Sequence, residues 1–180
     1  MTDKEEKANE KWIGRLALST AIMAVLAALT TLYMGKFSSR AIMNQGLESN
    51  EWAYYQAKSI KQHSFEMSKK SLELQYHSQK ALPPVVAADY EKTLAKYDDE
   101  VKRYEAEKKE IKDKAEGISK SKLKAQEMGG NFAYALIFLQ IALMLASISS
   151  LTKRKYLWYI ALVCNLGWLF FFLDALLLFY

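Results

Sequence analysis

Two histidines and two glutamates lie close enough together in the sequence to suggest a metal site. They are His63, Glu66, Glu73 and His77, and at about 100° per helical residue all four fall within roughly 80° of one another. Imidazole and carboxylate groups bind zinc and iron, but the spacing is H-x-x-E and E-x-x-x-H rather than the Glu-x-x-His of di-iron bundles. We therefore predict no metal and no cofactor, and interpret the histidines as polar residues that contact tyrosines in a helical seam.

Polar residues within apolar stretches are the second candidate for chemistry. Asp174 is the one acid in residues 156–180, and Gln140 and Asn165 lie in similar surroundings. An ionisable group inside a bilayer is by default a functional hypothesis. These three residues are the candidate lining of a pore or an intramembrane polar site. The alternative is that Asp174 lies at headgroup depth and that the other two make contacts between helices.

Several classes of function are disfavoured by what the sequence contains. No nucleophile accompanies a base and an orienting group, and no glycine-rich phosphate loop is present. We therefore predict that the protein is not an enzyme. The net charge of +5 is mixed in sign along the chain and forms no basic stripe of the kind that follows phosphates, so we predict no nucleic-acid partner.

Three stretches with almost no charge are each long enough to cross a bilayer, which takes about 20 apolar residues. They are residues 16–34, 131–151 and 156–180, and aromatic residues typical of membrane interfaces mark their ends. Residues 1–15 form a short charged N-terminal tail, and the first stretch has the features of a retained anchor rather than a cleaved signal peptide. The loop at 152–155 is short and basic, which favours a cytoplasmic N-terminus with residues 36–130 on the opposite side.

Residues 36–130 have the pattern of a long antiparallel helical hairpin. Leu82-Pro83-Pro84 breaks the helix at 82–84, and the second arm carries a heptad repeat from Tyr90 to Ala125. The first arm has its own stripe at intervals of seven. Folding at the prolines aligns both stripes in a coiled coil, with the predicted hairpin seam formed by Ile60, Met67, Leu74, Leu94, Val101 and Ile111.

A second apolar face on the first arm has no partner in this hairpin. Large exposed apolar patches usually mark interfaces, so we assign this face to contacts with other copies of the chain. The predicted oligomer interface consists of Trp52, Tyr54, Tyr55, Phe65, Leu72 and Tyr76. Small residues at intervals of three or four in the first span, Ala17, Ala21, Ala24 and Ala28, would allow helices to approach closely in the membrane as well.

The stretch WAYYQAKSIKQH, residues 52–63, follows an alanine-rich span and precedes a charged, tyrosine-rich hairpin and two C-terminal spans. In this order the chain resembles a family of bacterial inner-membrane proteins of unknown function, over about residues 12–180. The resemblance implies a protein of the bacterial inner membrane. In that membrane, the orientation favoured by the short basic loop would place the hairpin in the periplasm. It implies no activity, substrate or catalytic residue.

Together these patterns predict an all-α membrane protein with three transmembrane helices and a long coiled-coil hairpin between the first and second. We expect a membrane-anchored homo-oligomeric scaffold or assembly protein. The expected partners are the lipid bilayer and other copies of the chain, with a further membrane or periplasmic protein as an additional candidate. A subunit of an oligomeric channel or transporter is the alternative.

Overall fold

The computed structural model describes residues 3–79 and 83–178, without the side chains of residues 3–10. It contains three helices, α1 (Asp3–Ser78), α2 (Pro84–Thr152) and α3 (Lys155–Leu177), and no strand occurs in these described ranges. The all-α prediction is confirmed, and each helix contains a segment long and apolar enough to cross a membrane, consistent with a multi-pass membrane protein. Leu82 of the predicted turn, residues 1–2 of the tail and residues 179–180 of the third span lie outside the described residues.

The helix boundaries follow from the two prolines of the chain. Pro83 and Pro84 cannot donate backbone hydrogen bonds, so α1 ends before them, whereas a proline is well tolerated in the first turn of α2. The amides of Val86 and Ala87 donate to the carbonyl of Pro83 at 3.0 and 3.1 Å. No proline lies between Asp3 and Ser78 or between Val85 and Thr152, so both helices run on for many turns.

Residues 1–42 and 122–180 form one compact unit, built from the first part of α1, the last part of α2 and all of α3. Small side chains at the contacts let the helices approach closely, which is the usual way apolar helices pack in membranes. Gly129 of α2 is an example, because a Cβ there would lie 3.4 Å from Oγ of Ser38 on α1. The buried cluster of this unit consists of Trp12, Leu16, Met23, Leu139, Ala142, Ala146 and Ala161.

Hydrogen bonds between side chains connect α3 to α1 in this unit. The indole Nε1 of Trp158 donates to Oγ of Ser19 at 3.1 Å, and that of Trp168 donates to Oγ1 of the fully buried Thr30 at 3.0 Å. Residue numbers rise together on the two helices, so α1 and α3 run in the same direction. In surroundings that exclude water, each bond pairs an indole N–H with a hydroxyl oxygen, and an N–H left without a partner there would cost free energy.

The connection between α2 and α3 is as short as two residues. Lys153 takes a left-handed conformation with φ of 55°, which turns the chain sharply. The hydroxyl of the buried Ser149 donates to the carbonyl of Arg154 at 2.9 Å. This bond explains why a polar side chain is buried at the end of α2, since it satisfies a carbonyl in the turn.

Two glycines give a testable contrast. A Cβ at Gly167 of α3 would lie 2.7 Å from Cδ1 of Phe138 on α2, whereas one at Gly117 would meet nothing within 4 Å. We expect Gly167→Ala to lower the stability of the unit by about 1–3 kcal/mol, the usual effect of overpacking. Gly117→Ala should raise stability by about 0.5–1 kcal/mol, because alanine is the better helix former.

The measurement is thermal unfolding of each variant in the same detergent, followed by circular dichroism. Equal or reversed shifts for the two substitutions would contradict the close approach of α3 to α2 at Gly167.

Candidate functional site

Residues 43–121 form the second compact unit, and within it charged side chains connect α1 to α2. Among the described residues of this unit, ion pairs join the helices at three places: Lys58 Nζ to Glu107 Oε2 at 2.6 Å, Lys69 Nζ to Asp98 Oδ1 at 2.8 Å, and Lys114 Nζ to Glu51 Oε1 at 2.5 Å. As residue numbers rise on α1 they fall on α2. Each pair is partly exposed, so the pairs favour one alignment of the helices more than they add to stability.

Aromatic rings also pack between α1 and α2, near these ion pairs. The ring of Phe65 on α1 is 5.7 Å from that of Tyr104 and 5.9 Å from that of Tyr97, both on α2. Farther along, the rings of Tyr76 and Tyr90 are 5.5 Å apart. Aromatic pairs at such distances contribute about 0.5–1.5 kcal/mol each beyond the area they bury, and Phe65 forms two of them with α2.

The contacts of α1 recur at intervals of four and three residues from Glu51 to Lys69 and again seven residues later at Tyr76, the period of a helix that presents one face to a partner. Besides the pairs above, Lys108 Nζ of α2 lies 5.1 Å from the ring centroid of Tyr55 and donates to Oε1 of Gln62 at 3.1 Å. The α1 residues in contact are Glu51, Tyr55, Lys58, Gln62, Phe65, Lys69 and Tyr76. We call this set the inner face of α1.

The structure reverses the predicted use of the two apolar faces of α1. Ile60, Met67 and Leu74, predicted for the hairpin seam, are 64%, 58% and 65% exposed. At about 100° per residue, Ile60 points roughly 140° away from Phe65. Both faces have a period of seven, so periodicity alone could not distinguish them. The inner face packs against α2 because its lysines form ion pairs with Glu107 and Asp98 and its Phe65 contacts two tyrosines.

The residues predicted to contact other copies therefore divide into two groups. Phe65, Tyr76 and Tyr55 contact α2 of the same chain, and Leu72 is half-buried. Trp52 and Tyr54 remain exposed. On α2, the predicted seam residues Leu94 and Val101 are half-buried and Ile111 is buried.

Hydrogen bonding to the partner sets the charge of these ion pairs. Hydrogen bonds from Lys102 and then Lys69 lower the pKa of Asp98 to about 2. The pKa of Glu107 is lowered by its hydrogen bond from Lys58, and the same bond raises the pKa of Lys58. Each of the two carboxylates therefore stays ionised to a lower pH than it would without its hydrogen bonds.

The four candidate metal ligands do not converge. Nδ1 of His63 lies 3.4 Å from Glu66, whose carboxylate also accepts a hydrogen bond from Gln62 at 2.9 Å. Glu73 lies 4.0 Å from the ammonium of Lys69, and the ring of His77 is near that of Tyr76, at 5.8 Å. Within residues 3–79 and 83–178, no three histidine, cysteine, aspartate or glutamate side chains form a group that could hold a metal ion.

The three candidate intramembrane polar residues are also separate. Asp174 is buried, and its carboxylate accepts a hydrogen bond from Nδ2 of Asn131 on α2 at 2.5 Å. Asn165 is half-buried and donates to the carbonyl of Ala161 at 3.2 Å, whereas Gln140 is exposed. Asn165 and Asp174 are about 14 Å apart along α3 by helical rise. Sequence reasoning missed Asn131, whose position at the start of an apolar stretch was the only available signal.

A family model described as a domain of unknown function (DUF4337) matches residues 12–178. The chain belongs to the DUF4337 family. No curated protein and no solved structure matches the chain. Because the family description gives no activity, the function of this DUF4337 protein has to be argued from its own surfaces.

The reversal of the two faces predicts different effects of alanine at two apolar positions of the DUF4337 chain. Phe65→Ala removes both aromatic contacts with α2 and should lower stability by about 1–3 kcal/mol, below the range for a fully buried ring. Ile60→Ala should change it by less than about 0.5 kcal/mol, as exposed substitutions usually do. Chemical unfolding followed by circular dichroism measures both. A larger loss of stability in Ile60→Ala than in Phe65→Ala would indicate that Ile60 packs against α2, as the sequence pattern predicted.

The lowered pKa of Asp98 predicts a specific response to acid. The pKa of Asp98 in the folded protein, about 2, is below its ordinary value of 3.8. The ionised Asp98 carboxylate therefore contributes its full stabilisation at any pH above the ordinary pKa. That stabilisation is lost as the pH falls through the folded value. We expect the melting temperature to fall between pH 4 and pH 1.5, and Asp98→Asn should remove part of that fall. Asp99→Asn is the control, and an equal effect of both substitutions would contradict the role given to Asp98.

Proposed function

We propose that this DUF4337 protein is a membrane-anchored homo-oligomeric scaffold, without enzymatic activity, in the bacterial inner membrane. The three apolar helical segments anchor it, and the charged residues 43–121 lie outside the bilayer as an antiparallel coiled-coil hairpin. The three apolar segments support the anchoring. Ion pairs and aromatic contacts at intervals of four and three support the hairpin. The short basic stretch Lys153–Lys155, at the connection between α2 and α3, favours a cytoplasmic N-terminus and a periplasmic hairpin.

The single observation that carries the scaffold proposal is the exposed apolar stripe on α1. Ile60, Met67 and Leu74 each expose more than half of their surface, on the side of the helix opposite the inner face. A helix pair that only had to be stable in water would carry polar residues there, since apolar exposure adds nothing to its folding. A surface for another protein explains the stripe.

Self-association is supported by a groove within the unit of residues 1–42 and 122–180. Small side chains from α1 and α2 line much of it, and its volume is about 520 Å³. Small residues let a helix of a second copy approach the backbone closely, which is how helices associate where both partner and lipid are apolar. The small groove residues are Ala17, Thr20, Ala21, Ala24, Ala146, Ser147 and Ser150.

The channel alternative receives no such support. It requires polar side chains that share one wall, whereas Gln140 is exposed, Asn165 bonds within its own helix, and Asp174 is bound by Asn131. We therefore retain the scaffold as the proposed function.

Filling the groove tests self-association. We expect the purified wild type in nanodiscs to have the native mass of a defined multimer. Ala21→Leu should shift most of the population to monomer, because the added side chain occupies the space a second helix needs. Val163→Leu is the control, since Val163 is an exposed apolar residue on α3 outside the groove. A monomeric wild type, or a multimer that Ala21→Leu leaves intact, would contradict the proposed interface.

A further inference from the structure

The exposed side of α1 between residues 53 and 78 has the residue pattern of one half of a helix–helix contact. Ile60, Met67 and Leu74 recur every seven residues, about 10.5 Å apart by helical rise. Four residues after each comes a serine, so large and small side chains alternate along the stripe as knobs and holes do. We call this surface the outer face of α1, consisting of Ala53, Ala57, Ile60, Ser64, Met67, Ser71 and Leu74.

The residues that border the outer face carry positive charge and no negative charge. In heptad terms the flanking positions are Tyr54, Lys61, Ser68 and Gln75 on one side and Gln56, His63, Lys70 and His77 on the other. Neither Lys61 nor Lys70 forms an ion pair with any residue in the part of the chain that the structure describes.

The acids of this part of α1 lie outside the flanking positions, and Glu66 is 3.4 Å from the flanking His63. Glu51 pairs with Lys114 of α2, and Glu73 lies 4.0 Å from Lys69 on the inner face. The carboxylate of Glu66 accepts a hydrogen bond from Gln62. The outer face therefore combines an apolar stripe with two bordering lysines that form no ion pair in the described residues. The acids nearest to them are Glu107, on which Lys61 acts at longer range, and Glu66 and Glu73, each one turn from Lys70 on α1.

We infer that the outer face of α1 binds an acidic amphipathic helix of another protein. Such a helix would place apolar residues against Ile60, Met67 and Leu74 and carboxylates against Lys61 and Lys70, a common mode of helix recognition. Trp52 and Tyr54, exposed at one end of the stripe, provide the large aromatic surfaces that dominate binding energy at interfaces. The inference rests on the proposed function, because it names the partner that the scaffold recruits.

Charge argues against a second copy of the chain as the occupant. In a parallel pair of outer faces, flanking residues would meet as Gln56 with Lys61 and as Lys70 with Gln75, so no ion pair would form. A second copy in this register would therefore offer Lys61 and Lys70 no carboxylate. An acidic partner gains from the same lysines, which also makes binding sensitive to salt.

The width of the stripe argues against a lipid surface. A helix that lies in a membrane interface presents a broad apolar face, whereas the outer face has one large apolar residue per two turns with Ser64 and Ser71 between them. That narrow stripe suits a single helix.

Two synthetic peptides test the inference on the full chain in nanodiscs of zwitterionic lipid. Both have about four heptads with leucine every seven residues, and one carries glutamate and the other lysine at the flanking positions. Fluorescence anisotropy at low salt should show the acidic peptide binding wild type at least tenfold more tightly. The double variant Lys61→Glu, Lys70→Glu should reverse that preference.

A matched pair of single variants locates the binding surface. Met67→Glu should lower affinity for the acidic peptide at least tenfold, because it puts a carboxylate in the centre of the stripe. Val85→Glu makes the same kind of change at an exposed valine of α2 and should leave binding unchanged. Circular dichroism of both variants checks that the helices remain intact.

Equal binding of the two peptides, or binding of neither, would overturn the inference. Displacement of the bound acidic peptide by phosphatidylglycerol vesicles would assign the outer face around Met67 to lipid. Loss of the native multimer in Met67→Glu would assign the face to a second copy. Native mass in the same samples separates this inference from the proposed function. A monomer that prefers the acidic peptide would refute only the homo-oligomer, and a multimer without that preference would refute only the acidic partner.

Discussion

The rotation of α1 about its own axis determines which of its two apolar faces the unit of residues 43–121 exposes. Lys58 and Lys69, which pair with Glu107 and Asp98, lie on either side of Phe65 along the inner face. Hydrogen bonds hold those carboxylates in their charged forms, and Phe65 lies against two tyrosines between the pairs. Once that face is used for α2, the stripe of Ile60, Met67 and Leu74 is left exposed.

Different physics holds together the unit of residues 1–42 and 122–180. Its helices are apolar on nearly every side, so burial of apolar surface distinguishes poorly between one arrangement and another. Hydrogen bonds from Trp158 and Trp168 to hydroxyls of α1, and from Asn131 to Asp174, are directional and therefore favour one arrangement of the helices over others. Each joins two helices, and none requires water.

Much of this architecture could be predicted from the sequence, because long charge-free stretches and the Pro83-Pro84 break depend on local composition. Ile111, which the repeat of α2 places in the predicted seam, is a buried residue. The face that α1 presents was assigned wrongly, because two stripes of period seven share that helix and only the charges and rings of α2 distinguish them. The bond between Asn131 and Asp174 joins residues of two helices, and no local pattern indicates such a pair.

The most direct test of the account is a cysteine scan of α1 from residue 58 to residue 76 in a Cys164→Ser background. The rate of reaction with a water-soluble maleimide measures how accessible each position is on the purified protein. The account predicts fast labelling at 60, 67 and 74 and slow labelling at 58, 65, 69 and 76. The opposite pattern would show that α1 presents the Ile60 stripe to α2, and both the scaffold surface and its acidic partner would then have to be abandoned.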